Sequence, residues 1–310
     1  MNRNNQKGIA LILVLLCMAM LASAASYLVE DDHLSIRRAA NQHDRLQAQY
    51  LAESGLQWAM LVLQKDGENN EIDHLNEPWT TLDQPLSIEN GTLSIEVIDV
   101  QGRFNINNLR NDPNGLWSAA LSRLLESADL APELASTLKD WIDDDSTPTG
   151  IEGAEDDHYL LNDPPYRTAN DFIRDISELK LIKGINDSTF EKLNTLVTAL
   201  PTSEARININ TCPEALFAIF GREVLTEGIG AALAAGRGED GYQTMEDFVT
   251  QTELASHGEV ASALGRISSD FFVVNITSTY GRITLSNRYL LKREIDEGVY
   301  IDLISTASVS

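Results

Sequence analysis

Between Asp143 and Asp163 the chain carries eight carboxylates and no Lys or Arg: Asp143, Asp144, Asp145, Glu152, Glu155, Asp156, Asp157 and Asp163. Packed together without a counter-ion, such groups repel one another and raise their own pKa values. Two states are physically open to them. The loop is either solvated and mobile, or folded around a hard cation that takes about six to eight oxygens at roughly 2.3–2.6 Å. Calcium is the cation this chemistry favours. The run begins directly after the apolar Trp141-Ile142 and closes against Tyr159 and Tyr166, with Gly150 and Gly153 supplying turns, so both ends are pinned. It is not an EF-hand, because counting from Asp143 the sixth position is Pro148 and the twelfth Ala154. Zinc fits poorly, since His158 stands alone and no Cys lies near. Neighbouring carboxylates also serve glycosidases, but no substrate cleft follows from this spacing. No catalytic residue is assigned, and the chain is expected not to be an enzyme.

The elements that must hold this loop are helical. Leu116, Trp117, Ala120, Leu121, Leu124 and Leu125 form one apolar face, Leu134, Leu138, Trp141 and Ile142 a second, and Phe190, Leu193, Val197 and Leu200 a third. Thr211-Cys212-Pro213-Glu214 reads as a capping box opening a fourth helix, with Thr211 accepting backbone N–H groups and Glu214 reaching back. A short repeat, Arg103-Phe104-Asn105-Ile106-Asn107 and Arg206-Ile207-Asn208-Ile209-Asn210, precedes helical sequence each time and suggests a duplicated strand-to-helix unit. Leu181-Ile182-Lys183-Gly184-Ile185 and Thr226-Glu227-Gly228-Ile229-Gly230 resemble the hairpins of helix-hairpin-helix modules. Such hairpins bind DNA phosphates when basic residues surround them. Here Glu178, Glu223, Glu227, Glu239 and Asp240 lie nearby, so they are expected to be packing units and nucleic acid is not an expected partner.

Strand signals flank this helical region. Leu86 to Glu89 leads through Asn90-Gly91 into Thr92 to Ile98, alternating apolar and polar residues around a hairpin. Phe271 to Tyr280, Arg282 to Glu294 and Val299 to Ile304 alternate likewise, with Tyr280-Gly281 as a turn, so one antiparallel sheet is split in sequence by the insertion. Over 310 residues, 47 acidic against 23 basic side chains give a formal charge of -24, which repels polyanions and keeps the exposed part soluble. Cys17 and Cys212 imply no disulfide framework.

At the N-terminus, Lys7-Gly8 is followed by an uncharged run from Ile9 to about Val29, long enough at ~1.5 Å per residue to cover the ~30 Å hydrocarbon core. A cleaved secretory signal ending at Ala22-Ser23-Ala24 fits locally, and a plain signal anchor fits the span. Beyond the span Leu46, Tyr50, Glu53, Leu56, Met60 and Leu63 recur at helical spacing, so a single helix emerging from the bilayer and reaching roughly Lys65 accounts for both halves. The basic leader, the Gly8–Ile9 junction and Ala48-Gln49-Tyr50-Leu51-Ala52-Glu53-Ser54-Gly55-Leu56 together resemble a type IV pilin-like protein. That resemblance implies cleavage between Gly8 and Ile9 by a prepilin peptidase, N-methylation of Ile9, and a long helix on an antiparallel sheet. In the family the fifth residue after the cut is usually a glutamate that pairs with the terminal amine of a neighbouring subunit; here it is Leu13. A charged residue at such depth costs roughly 2.5–3.5 kcal/mol on insertion scales unless compensated. A subunit with no neighbour above it has no amine to neutralise, so Leu13 suggests a tip position.

Leu13 and the acidic loop make the chain similar to the K-class minor pseudopilins of type II secretion systems. The fold this implies is α+β: a long N-terminal membrane-spanning helix on a pilin-like antiparallel sheet, interrupted by a large inserted helical domain with helix-hairpin-helix-like units. The expected division is a leader over 1–8, the N-terminal helix over 9–65 with its span near 9–29, the first part of the αβ domain over 66–110, the insertion over 111–267 and the last strands over 268–310. Trp-Ile-Asp-x-Asp with a later Gly-Ala-Glu-Asp is similar to the calcium-binding loop of that class, which implies Asp143, Asp145, Glu155 and Asp156 as ligands, with Asp144, Asp157 and Asp163 as secondary candidates. The resemblance further implies a single-pass inner-membrane protein with its bulk in the periplasm of a Gram-negative bacterium, joined to the other minor pseudopilins of the H, I and J classes. The alternatives are a membrane-anchored DNA-uptake or minor pilin component, and a signal-peptide-processed periplasmic protein.

Overall fold

No Gly or Pro interrupts the chain between Ile9 and Ser54, and this stretch folds as one helix, α1 (Asn5–Asn69), which ends past the expected Lys65. The computed structural model describes residues 5–221, 223, 227–251, 254 and 256–308. Residues 1–4 of the leader and Thr226 therefore lie outside the described residues. The face that α1 buries keeps Leu56, Met60 and Leu63 of the stripe expected from spacing but is otherwise made of small residues. Ala48, Ala52, Gly55, Leu56, Ala59 and Leu63 are buried, whereas Leu46 and Tyr50 are 47% and 61% exposed. Small residues win because they let the helix axis approach the sheet closely: a β-carbon on Gly55 would sit 3.1 Å from Leu93 Cδ1.

The remaining elements are β1 (Leu86–Ile88), β2 (Gly91–Asp99), β3 (Phe104–Asn105), α2 (Leu116–Ser127), α3 (Leu134–Ile142), α4 (Asp156–Tyr159), α5 (Asp187–Leu196), β4 (Val197–Thr198) and β5 (Ile207–Asn208). They continue with α6 (Glu227–Ala235), α7 (Met245–Val249), α8 (Gly258–Leu264), β6 (Gly265–Arg266), β7 (Phe271–Tyr280), β8 (Ile283–Ile295) and β9 (Val299–Ser308). Five strands form an antiparallel sheet in the order β1-β2-β7-β8-β9. Its central pair, β2 and β7, runs in register from Gly91↔Tyr280 to Asp99↔Phe272, although the whole insertion separates the two strands in sequence. Ile88 pairs with Gly91, so the first hairpin turns on Glu89-Asn90, one residue before the expected Asn90-Gly91. One face of the sheet packs on α1 through Leu93, Ile95, Val97, Phe272, Val274, Ile276 and Leu291. The other face meets the insertion where Val100, Phe271 and Val273 cover Leu200 and Ala205.

The five-residue repeat proves to be the seed of two similar units. β3 pairs in parallel with β4, and β5 pairs in parallel with β6. The final asparagine of each copy clamps a distant backbone residue at both ends. Asn107 accepts from Ile173 N and donates to Ile173 O, both at 2.9 Å, while Asn210 accepts from Tyr242 N at 2.7 Å and donates to Tyr242 O at 3.1 Å. Two residues past each clamped position a capping box opens a short helical turn, Asp175 with Glu178 and Thr244 with Asp247. A second helix, α5 or α8, then leads back into the parallel strand.

Three local expectations fail for physical reasons: α5 stops at Leu196, so of the third apolar face Val197 lies in β4, held by its pairing with Phe104, and Leu200 lies beyond it, and two more concern capping and hairpins. Thr211 caps nothing; its hydroxyl donates to the buried Asp99 at 2.5 Å, and Glu214–Phe220 is a 3₁₀ helix entered from Pro213. Glu227 to Gly230 lie inside α6 and form no hairpin turn.

Candidate metal centre

Helix α3 sends Leu138, Trp141 and Ile142 into the insertion's core and ends at Asp143, whose backbone is already extended. Asp140, one turn earlier, is wholly buried, and its carboxylate accepts hydrogen bonds from Thr149 N at 2.9 Å and Ala154 N at 2.7 Å. These bonds fold the acidic loop back over the helix end. Gly153 makes the approach possible, since a β-carbon there would fall 2.3 Å from Asp140 Oδ2. Below the loop lies an aromatic floor in which the Trp141 and Tyr159 rings are 5.1 Å apart and Tyr159 and Tyr166 5.4 Å. The hairpin at Leu181–Gly184 supports that floor: Lys183 N donates to Tyr159 Oη, Tyr166 Oη donates to Leu181 O, and Lys183 Nζ reaches Glu152 O at 3.0 Å.

Folding back brings Asp143, Asp145 and Glu155 together, one carboxylate oxygen from each lying within 4.8 Å of the others. Asp143 and Glu155 are buried, and Asp143 Oδ1 with both Glu155 oxygens lack any hydrogen-bond partner. Burial, and then the charges of Asp140, Asp143, Asp145 and Asp156, push Glu155 up to about 7. Asp143 rises to about 6, chiefly through burial and then through Asp145 and Asp140. Buried acceptors with no donor and like charges around them are what a hard cation satisfies, and all the converging atoms are oxygens. A further buried oxygen without a partner, Asn170 Oδ1, lies alongside; the same amide's Nδ2 approaches Asp145 O at 3.4 Å.

The fourth expected ligand is directed elsewhere. Asp156 opens α4 and turns its carboxylate to Arg167 at 2.6 Å and to the Thr168 N–H and hydroxyl at 3.0 and 2.9 Å, because this cation and these donors satisfy it better than the crowded acidic side. Asp144, Asp157 and Asp163 are exposed and outside the cluster. Asp140 was not singled out from sequence, yet it organises the loop. A carboxylate in the last turn of a helix, where the dipole disfavours it, was the available signal.

A second group of acids, Asp66, Asp73 and Glu77, needs no metal because it already holds a cation. Arg293 is buried among them, donating to Asp66 at 3.0 Å and Asp73 at 2.6 Å, with its guanidinium 5.0 Å from the Phe272 ring centre. Glu77 is satisfied by Trp79 Nε1 at 2.6 Å and Asn70 Nδ2 at 2.5 Å.

At the other end of the chain, the Gly8–Ile9 junction lies within α1, and Ile9 and Leu13 belong to an apolar run that is exposed among the described residues. Among the described residues α1 is the one helix long and apolar enough to cross a membrane.

Comparison with known proteins fits this anatomy. Residues 7–57 match the family model described as PilX N-terminal, while 102–202 and 207–267 match two models described as type II secretion system protein K. The boundary between the last two falls where the duplicated unit begins again. Type II secretion system protein K of Pseudomonas aeruginosa is 34% identical over 278 residues, covering 85% of this chain and 82% of that protein. The chain belongs to the type II secretion system protein K family. The Klebsiella pneumoniae member is 29% identical over 309 residues, with 94% of each chain covered. Among solved structures, the GspK-GspI-GspJ complex from the enterotoxigenic Escherichia coli type 2 secretion system contains a chain that superposes with a TM-score of 0.77 at 24% identity, covering 88% of this chain and 99% of that one, so the fold is shared. As a protein K the chain is a minor pseudopilin, a component of protein-secretion machinery, and both the acidic loop and its Asp140 anchor lie inside the first matched protein K region.

Proposed function

We propose that this protein K is processed between Gly8 and Ile9 by a prepilin peptidase, stays in the inner membrane through α1 with its bulk in the periplasm, and then occupies the tip of the pseudopilus. There it joins minor pseudopilins of the H, I and J classes and supports export of folded proteins across the outer membrane. The observation that carries this reading is Leu13, an apolar residue five positions into the processed helix. The segment after α1 is tied to the inserted domain by Asp73 N to Ile267 O at 2.9 Å and Asn76 Nδ2 to Glu239 O at 2.7 Å. A subunit with no neighbour above it has no need of a carboxylate to receive the next amine, and the bulk of the insertion would block addition there. The relative solved in a complex with GspI and GspJ supports partners of this kind.

Calcium in the Asp143, Asp145 and Glu155 cluster would neutralise the buried carboxylates and lock the loop that crosses the insertion's surface. Its role here is structural.

N-terminal sequencing of the mature protein is expected to begin at Ile9; a start at Ala25 or Ser26 would remove the pseudopilin processing route. Leu13→Glu is expected to reduce tip assembly, measured by co-purification of the minor pseudopilins with the full-length protein. Undiminished assembly would sink the tip argument.

A further inference from the structure

In a chain with 47 acidic and 23 basic residues, arginines gather in one place in excess of the acids beside them. A cleft of about 390 Å³ opens between the outer face of the sheet and the first unit of the insertion, and Arg103, Arg174, Arg288 and Asp175 line it. Three cations face one anion there. The floor is apolar, from Leu200, Val273 and Leu290. Topology builds the site. β3 begins directly after Arg103, the capping box of the 3₁₀ helix Ile176–Leu181 fixes Arg174 and Asp175, and Arg288 stands on β8 opposite Ala307 of the edge strand, a neighbour too small to cover it.

The guanidinium groups are under-used. Arg103 is partly buried and its side chain makes one hydrogen bond among the described residues, from Nη1 to Asn194 O at 3.2 Å, out of five available donors. Burial and the like charge of Arg288 both press on it. Arg288 has no hydrogen bond or ion pair among the described residues, and Arg174 meets an acid only at 3.8 Å, Asp171, with both side chains exposed. Asp175, the one acid the cleft sets against its cations, accepts from Ser177 N at 2.8 Å as a helix cap, and its carboxyl is held below its ordinary value first by the Ser177 hydrogen bonds and then by the charge of Arg288. Arg293, by contrast, forms ion pairs with Asp66 and Asp73 through its two terminal nitrogens, so an arginine cleft with excess cations is not the rule in this molecule.

We infer that this cleft is a binding site for a short acidic segment of a partner polypeptide, with carboxylates set on the guanidinium forks and an aliphatic side chain on the apolar floor. A cleft of this size lies within the usual range for ligand pockets. A nucleic acid is the poorer occupant, because a polyanion would meet the -24 field of the whole chain, whereas a few carboxylates meet the local cations first. The inference does not depend on calcium or on the tip position.

The test uses the full-length protein in detergent micelles and a fluorescein-labelled peptide of alternating Glu and Leu, with a Gln-for-Glu peptide and inorganic phosphate as competitors, read by fluorescence anisotropy at low salt. Saturable binding is expected, weakened about tenfold by Arg288→Gln and further by Arg103→Gln with Arg288→Gln, and unaffected by Arg45→Gln on α1. Because Arg288 is exposed, its variant is expected to melt like the parent, which separates lost binding from lost folding. Absence of saturable binding, equal binding by Arg288→Gln, equal competition by the Gln peptide, or displacement by phosphate at concentrations where unlabelled Glu peptide fails would each overturn the inference.

Discussion

Removing calcium from the full-length protein should lower its thermal stability, and Glu155→Gln should reverse the order of stability in the metal-free state. Three buried oxygens, Asp143 Oδ1 and Glu155 Oε1 and Oε2, have no partner, and an unsatisfied buried acceptor costs about 1–3 kcal/mol, more when charged. A cation satisfying all three is therefore expected to contribute about 3 kcal/mol at the low end of that range. Mass action gives a similar figure, about 2.7 kcal/mol when free calcium is a hundredfold above its dissociation constant. At roughly 2–4 °C per kcal/mol for a chain of this class, the insertion's unfolding midpoint should rise by roughly 6–12 °C on adding calcium. Glu155→Gln keeps the shape, removes a buried charge and offers an N–H to Asp143 and Asp145. In chelator at mildly alkaline pH the variant should be the more stable protein, and calcium should raise its midpoint by less than half the wild-type shift. Differential scanning calorimetry with calcium and with chelator reads both effects. Superimposable wild-type curves, or a wild type more stable than Glu155→Gln in chelator, would refute the reasoning.

Two further outcomes concern the frame around that centre. Asp66 is pushed up to about 7, first by burial and then by Glu77 and Asp73 against the pull of Arg293, so between about pH 4 and 7 the folded chain holds a proton that the unfolded chain has released. Stability from this group is therefore present below that window and declines as pH rises through it, and Asp66→Asn should flatten the decline in denaturant titrations run across the window. Asn210→Ala should cost about 3 kcal/mol, because it strips both hydrogen bonds from the buried Tyr242 backbone; an effect below about 1 kcal/mol in urea unfolding would mean the clamp is not structural.

The position of the acidic loop was legible in sequence because charge density is local: eight acids without a base must be solvated or counter-ioned whatever the fold. Which acids converge was not legible. Asp156 and Glu155 are adjacent, yet one faces Arg167 and Thr168 and the other faces Asp143, a choice made by residues of a later segment. The same limit explains α1, where periodicity marked a helix and put Leu56, Met60 and Leu63 on the packed face but put Leu46 and Tyr50 there too, which are exposed. How closely the sheet seats against Ala52, Gly55 and Ala59 is a property of the sheet and is absent from the helix's own sequence.

The sequence by itself determined the membrane-length apolar helix, the strand alternation on either side of the insertion and the paired Asn motifs, because each depends on residues close together along the chain. The tertiary structure alone decided that β2 and β7 meet across the insertion, that Asp140 pulls the acidic loop onto its helix, that Arg293 serves as the cation for a second acidic group, and that arginines from three separate segments share one cleft. Each of those outcomes joins charges or strands distant in sequence. Long-range electrostatics and packing become specific only after the chain has fixed which surfaces face each other.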